Sequence, residues 1–147
     1  MTIPLRLFKI IAPLALLASA ESAVAATLLV TKTAYCGCCR AWVEAMKAAG
    51  FTVEVNDVED VTPTARKLGV PDNLRSCHTA EIGGYAIEGH VPAADIKRLL
   101  AQKPKAAGIA LPGMVMGSPG MEHGDHKEPY QVIVFDRAGK TRVFASH

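Results

Sequence analysis

The stretch ATLLVTKTAYCGCCRAWVEAMKAAG, residues 26–50, decides the fold of this 147-residue chain. Its first part, residues 26–32, is a short apolar run rich in strand-forming residues and predicts a buried strand. Apolar residues then recur at helical spacing over 42–49, and Gly50 stands where a glycine commonly ends a helix. The cluster Cys36-Gly37-Cys38-Cys39 lies between the predicted strand and the predicted helix.

The segments that follow predict further alternation of strands and helices. Helices are predicted to begin at Thr62-Pro63, with Thr62 as the N-cap, and after His90-Val91-Pro92. Strands are predicted at residues 51–55, 80–82 and 85–88, the last two joined by a Gly83-Gly84 hairpin turn. The resulting α/β order, β-α-β-α-β-β-α, is thioredoxin-like.

The C-terminal third differs in composition. Residues 106–127 are rich in Gly, Pro, Met and His and predict a long Met/His-containing loop. Residues 131–136 and 141–145 predict a C-terminal β-hairpin. We therefore expect one thioredoxin-like domain with these two additions.

The first 25 residues have the features of a signal peptide. Arg6 and Lys9 give a positive start, residues 10–18 form an apolar run too short to span a bilayer, and Ala23-Val24-Ala25 has small residues at cleavage spacing. Glu21 interrupts the apolar stretch, which argues against the alternative of an uncleaved anchor. The prediction is a signal peptide over 1–25 and a mature domain over 26–147, located in the periplasm and not embedded in the membrane after cleavage.

Charge and motif content exclude several classes of function. The net charge is +2, and no basic stripe with interleaved aromatic residues occurs, so nucleic acid is not expected as a partner. The chain also lacks a phosphate-cradling glycine loop, a G-x-S-x-G motif and a paired-carboxylate arrangement.

The cysteine cluster is the strongest chemical signal. At the start of a helix, unpaired N–H groups and the helix dipole lower thiol pKa values, which favours both redox chemistry and metal binding. A disulfide oxidoreductase needs two cysteines, whereas a soft ion such as Cu(I) benefits from several convergent thiolates. Three thiols therefore favour Cu(I), with zinc as a second candidate. Two alternatives stay open: an oxidoreductase using Cys36 and Cys39, and a structural disulfide from Cys36 or Cys39 to Cys77.

Further candidate ligands lie outside the cluster. In a thioredoxin-like fold Cys77 and His78 would face the cysteine loop and could supply a thiolate and an imidazole. The long loop adds thioethers and imidazoles, which could bind copper or simply pack and remain solvated: Met114, Met116, Met121, His123 and His126. His90 is expected to be structural, and nothing in the sequence suggests a role for His147.

The motifs together resemble one family. The chain is similar to small bacterial periplasmic metal-binding proteins, long known as a domain of unknown function, that include the CopG-type copper-resistance proteins. The resemblance rests on Tyr35 to Cys39 with Trp42, Ser76-Cys77-His78-Thr79, Gly84-Tyr85, Glu88-Gly89-His90-Val91-Pro92, Leu111-Pro112-Gly113-Met114 and Gly117-Ser118-Pro119-Gly120-Met121.

The resemblance implies a thioredoxin-like fold, a periplasmic location, copper bound at Cys36, Cys38, Cys39 and Cys77, and a role in copper resistance that could include Cu(I)/Cu(II) redox chemistry. Other periplasmic copper-handling proteins would then be partners. Whether the protein is an enzyme, such as a copper oxidoreductase, or a binding protein is not decided by any of these residues.

Overall fold

The structure is a computed structural model that describes residues 26–147; the predicted signal peptide lies outside the described residues. Within these residues the chain forms seven strands and three α-helices, and a short 3-10 helix at Asp72–Leu74 precedes the third strand. In chain order the elements are β1 (Leu28–Lys32), α1 (Gly37–Ala48), β2 (Val53–Asp57), α2 (Thr62–Lys67), β3 (Thr79–Ile82), β4 (Tyr85–Glu88), α3 (Ala93–Gln102), β5 (Gly108–Ala110), β6 (Gln131–Phe135) and β7 (Thr141–Ser146). The predicted α/β class is confirmed.

All seven strands belong to one sheet, in the order β2-β1-β3-β4-β5-β6-β7. β1 and β2 pair in parallel, as do β4 and β5, and the other neighbours are antiparallel. The predicted hairpin near the C-terminus is present as β6 and β7.

The prediction of an unbroken loop over 106–127 is wrong at Gly108–Ala110, which form β5. These three residues are too few to show a strand pattern in the sequence, but they lie between β4 and β6 and pair with both. Glycine is required there, since a Cβ on Gly108 would overlap the Ala86 carbonyl oxygen. β5 therefore joins the C-terminal hairpin to the main sheet.

Each face of the sheet is covered. The larger buried cluster joins the inner sides of α1 and α3 to one face and includes Trp42, Met46, Ile96 and Leu99. A smaller cluster, which includes Ala65 of α2, covers the opposite face. The predicted N-cap role of Thr62 is wrong: α2 has no side-chain cap at its N-cap residue, and the Thr62 N–H donates to Asp60 Oδ1 at 2.8 Å.

The register of the sheet brings three loops to one edge. Thr31 near the end of β1 pairs with Thr79 at the start of β3, and Thr79 pairs with Glu88 at the end of β4. The residues after β1, before β3 and after β4 therefore lie side by side. No helix within residues 26–147 has the length and apolar character that crossing a membrane requires.

Candidate metal centre

Four cysteine sulfurs gather at this edge. Cys36 and Cys39 form a disulfide, while Cys38 and Cys77 are free thiols. Cys38 Sγ lies 3.4 Å from Cys36 Sγ, and Cys77 Sγ lies 3.3 Å from Cys39 Sγ. All four sulfurs lie within 4.8 Å of one another. The cysteine residues predicted from sequence are thus brought together, and the predicted alternative bridge to Cys77 is wrong because Cys36 and Cys39 pair with each other.

The start of α1 explains why these sulfurs converge. Cys36 is the N-cap residue, and its Sγ accepts the N–H of Cys39 at 3.3 Å. Residues three apart share a helix face, so Cys36 and Cys39 point the same way. Cys39 is fully buried and Cys36 is partly exposed. The exposed end of the disulfide is therefore Cys36, and the helix N-terminus favours negative charge on its sulfur.

Cys77 is a protonated thiol in the absence of metal. Burial raises its pKa to about 12, with a further contribution from the charge of Cys38. Its Sγ lies 3.0 Å from His90 Nε2 and 3.4 Å from His78 Nδ1. These three residues form a second group of potential metal ligands that shares Cys77 with the cysteine cluster.

His90 is a site residue, although the sequence alone predicts a structural role for it. Its Nδ1 lies 2.8 Å from the Pro119 carbonyl, which can only accept a hydrogen bond, so Nδ1 carries the proton. Burial lowers the pKa of His90, which keeps the ring neutral and leaves a lone pair on Nε2 facing Cys77. The Gly83-Gly84 hairpin is a sequence signal for the proximity of His90 and Cys77. In such a hairpin the segment after β4, which carries His90, must lie beside the segment before β3, which carries Cys77.

His78 is fully buried and its Nε2 has no hydrogen-bond partner among the described residues. Burial lowers its pKa to about 3, so the ring is neutral at physiological pH. The ring lies 4.5 Å from the Trp42 ring and 5.0 Å from the His90 ring, measured between centroids. A buried polar atom without a partner is costly in an apolar setting and fits a site that binds a further group.

Glu88 anchors the loop that carries Cys77. Its side chain is fully buried, and Oε1 accepts the Ser76 N–H at 2.7 Å and faces Arg75 Nε at 3.4 Å. Its other oxygen accepts the Thr79 hydroxyl. Residues on both sides of Cys77-His78 are thereby tied to one carboxylate. Burial raises the pKa of Glu88, and these hydrogen bonds oppose that rise.

The middle of the long loop forms a strap across the cysteine helix, which we define as residues 117–121. Gly120 packs so closely on α1 that an added Cβ would lie 2.7 Å from both Cys38 O and Trp42 N. The neighbouring Pro119 carbonyl holds His90. The strap therefore contacts both α1 and His90.

The Met/His residues predicted as ligands lie at different depths. Met116 and Met121 are partly buried, and Met121 follows Gly120 in the strap. Met114 is half exposed, next to Gly113, whose carbonyl accepts the Ser76 hydroxyl. His123 is exposed and belongs to neither group of potential ligands found within residues 26–147.

Comparisons with known proteins agree with this geometry. Residues 74–121 match the family described as "Protein of unknown function, DUF411". A solved structure described as "Copper resistance protein copG- Form 2" is 43% identical over 83% of this chain and 98% of its own, with a TM-score of 0.79. The chain belongs to the CopG family of copper resistance proteins.

Form 1 of copG is similarly related, with 43% identity over 82% of this chain and 96% of its own, and a TM-score of 0.78. No curated protein sequence matches the chain. The predicted family is therefore confirmed, and membership in the CopG family agrees with a cysteine cluster that can bind metal.

Proposed function

We propose that this CopG-family protein binds Cu(I) through Cys36, Cys38, Cys39 and Cys77 and acts in copper resistance and homeostasis. The observation that carries the proposal is the convergence of four sulfurs within 4.8 Å in a chain 43% identical to copper resistance protein copG. Thiolate ligands select soft ions, and Cu(I) is the softest of the common candidates. Zinc is the second candidate, because cysteine and histidine ligands also suit it.

The spacing of the sulfurs supports a metal between them. A bond from zinc to a thiolate is about 2.3 Å long, so two sulfurs on opposite sides of one ion lie up to about 4.6 Å apart. The four sulfurs lie within 4.8 Å of one another, so only small side-chain movements are required once the Cys36–Cys39 disulfide is reduced. His78 and His90 would supply imidazoles beside Cys77, and Met114, Met116 and Met121 are proposed as additional thioether ligands.

Binding by all four cysteines requires a reduced site. In the described structure Cys36 and Cys39 share a disulfide and cannot act as thiolates. An external dithiol would transfer two electrons and two protons to the disulfide and would itself become a disulfide. Metal binding then releases thiol protons, including that of Cys77.

The test is an anaerobic titration of the reduced protein with Cu(I) against a chromogenic chelator. Trp42, the single tryptophan, contacts His78 and can report binding by its fluorescence. Cys38→Ser and Cys77→Ser should each lower the copper affinity by roughly 10-fold or more, since even loss of a residue behind a ligand costs about 10- to 100-fold. His147→Gln is the matched control, because His147 bonds Asp95 rather than the cluster. Unchanged copper binding in both cysteine variants would refute the proposal.

The proposal also includes the location of the protein and its fold class. We propose that residues 1–25 are a signal peptide, that the domain works in the periplasm, and that other periplasmic copper-handling proteins are its partners. N-terminal sequencing of the exported protein should begin at Ala26. The strand order β2-β1-β3-β4, with β1 and β2 parallel and β3 reversed, supports a thioredoxin-like arrangement for the first four strands.

A second function is favoured by the disulfide itself. Cys36 and Cys39 are oxidised at the start of α1, with Cys36 partly exposed. A substrate thiolate would attack Cys36 to form a mixed disulfide and release Cys39 as a thiolate. A second substrate thiol would then release Cys36, which leaves the protein reduced and the substrate oxidised. Turnover with a dithiol substrate should need Cys36 and Cys39 but not Cys38; absence of turnover in the unaltered protein would refute this function.

A further inference from the structure

Residues 123–126 form a tight turn outside the cysteine site. His123 and His126 make an antiparallel bridge across Gly124 and Asp125, and the His126 N–H donates to the His123 carbonyl at 3.3 Å. Gly124 has φ +56°, whereas Asp125 is not among the described residues with positive φ. Glycine at the first central position with positive φ is the pattern of a type II′ turn.

This turn places two imidazoles on one face. Residues directly opposite in an antiparallel pair project the same way, with Cβ atoms about 4.5–5.5 Å apart. Glu128 joins them, since its Oε1 lies 3.6 Å from His126 Nε2. All three side chains are exposed, so rotation about their side-chain bonds is free to bring the donor atoms onto one ion.

We propose that His123, His126 and Glu128 form a second metal site that binds one divalent ion of borderline softness. Two imidazoles and a carboxylate suit Cu(II), Zn(II) and Ni(II), and Cu(II) binds most tightly in that series. The negative charge of Glu122, next to His123, favours a cation there.

The site would differ from the cysteine centre in the oxidation state of the copper that it binds. It contains no thiol, so it holds metal while Cys36 and Cys39 form their disulfide. Its role as a holding site for oxidised copper rests on the proposed copper function, whereas its ability to bind a divalent ion does not.

The test is a Cu(II) titration followed by calorimetry and electron paramagnetic resonance. A Cys38→Ser, Cys77→Ser background keeps the disulfide and removes the two thiols that could reduce Cu(II). Wild-type protein whose free thiols are capped with a small methanethiosulfonate gives a second arm that needs no cysteine substitution. The Cu(I) site is disabled in both arms, so the result is independent of the proposed thiolate function.

We expect one Cu(II) with nitrogen hyperfine structure from two imidazoles. His123→Gln and His126→Gln should each lower the affinity by about 10- to 100-fold. Asp125→Asn is the matched control within the turn and should change it by less than about fivefold, since an exposed charge contributes little through water. The proposal would be overturned if the two histidine variants kept the Cu(II) affinity and the nitrogen hyperfine structure of the unaltered protein. It would also be overturned if Asp125→Asn lowered the Cu(II) affinity as much as they do.

Discussion

Replacement of Gly120 by alanine tests whether the strap builds the metal centre. Gly120 has φ +81° and packs against the backbone of the cysteine helix. An added Cβ would lie 2.7 Å from Cys38 O and 2.7 Å from Trp42 N. Both atoms belong to the helix backbone, so neither can move aside as a flexible side chain would.

Two effects contribute to the magnitude. A non-glycine residue in left-handed conformation costs about 1–2 kcal/mol, and forcing an extra carbon into a packed contact costs about 1–3 kcal/mol more. We therefore expect Gly120→Ala to lower the free energy of unfolding by about 2–5 kcal/mol. Gly139→Ala is the control: Gly139 has φ +79° but nothing within 4 Å of its Cβ position, so it should show only the conformational cost.

The site should be affected as well as the stability. If the strap moves away from α1, the Pro119 carbonyl leaves His90 Nδ1, and the orientation of the ring towards Cys77 is lost. We expect Cu(I) affinity to fall by about 10- to 100-fold, the usual cost of losing a residue that orients a ligand. Gly139 lies in the β6–β7 turn, so Gly139→Ala should leave the copper affinity unchanged.

Urea denaturation and Cu(I) competition on both variants provide the measurement. If Gly120→Ala and Gly139→Ala lowered the free energy of unfolding equally, the close contact of Gly120 with α1 would add nothing to the cost of an extra Cβ. A larger loss for Gly120→Ala with unaltered copper affinity would mean that the strap stabilises the fold but does not position His90. Either result refutes part of the reasoning, and the two are distinguishable.

Three further predictions follow from buried groups of the centre. Glu88→Gln should lower the free energy of unfolding by about 1.5–3 kcal/mol in urea denaturation, because an NH2 group replaces one of the two acceptor oxygens and the charge facing Arg75 is removed; a loss below that of Thr79→Val would contradict it. His78→Leu should leave the stability of the metal-free protein unchanged or raise it, since it removes an unsatisfied Nε2, yet it should weaken Cu(I) binding; equal copper affinity would remove His78 from the ligands. In metal-free protein, urea denaturation across pH should show two declines. Burial lowers the pKa of His78 from 6.5 to about 3, so below pH 6.5 only the unfolded chain gains that proton and stability falls by up to about 1.4 kcal/mol per pH unit. Burial raises the pKa of Cys77 from 9.0 to about 12, so above pH 9 the unfolded chain loses its proton first and stability falls again; a flat profile would contradict both.

The sequence predicted those elements whose signals are local. The strand, cysteine loop and helix over 26–50 carry their own hydrophobic pattern, and Gly83-Gly84 marks its hairpin directly. β5 is not predictable from its own residues, because Gly108-Ile109-Ala110 is a strand only through its neighbours, β4 and β6. Its existence depends on tertiary pairing rather than on local propensity.

The site could be predicted in part for the same reason. The predicted strand order implies that Cys77 lies near the cysteine loop. Which two of the cysteines share a disulfide could not be predicted, since the cluster offers three overlapping spacings and the choice depends on side-chain directions at the start of α1. The Gly83-Gly84 hairpin places His90 beside Cys77, but the orientation of its ring depends on a carbonyl in a distant loop, that of Pro119.

The two proposed functions use two redox states of the same four cysteine sulfurs. In the oxidised state Cys38 and Cys77 flank the disulfide at 3.4 and 3.3 Å, and in the reduced state all four sulfurs are free to bind metal. Copper that binds only the reduced state must favour reduction. At a free concentration of 100 times its dissociation constant it contributes about 2.7 kcal/mol, which corresponds to about 60 mV for a two-electron couple. A shift of that size is comparable with the differences among thiol–disulfide couples, so copper supply and dithiol supply would together set the state of the centre.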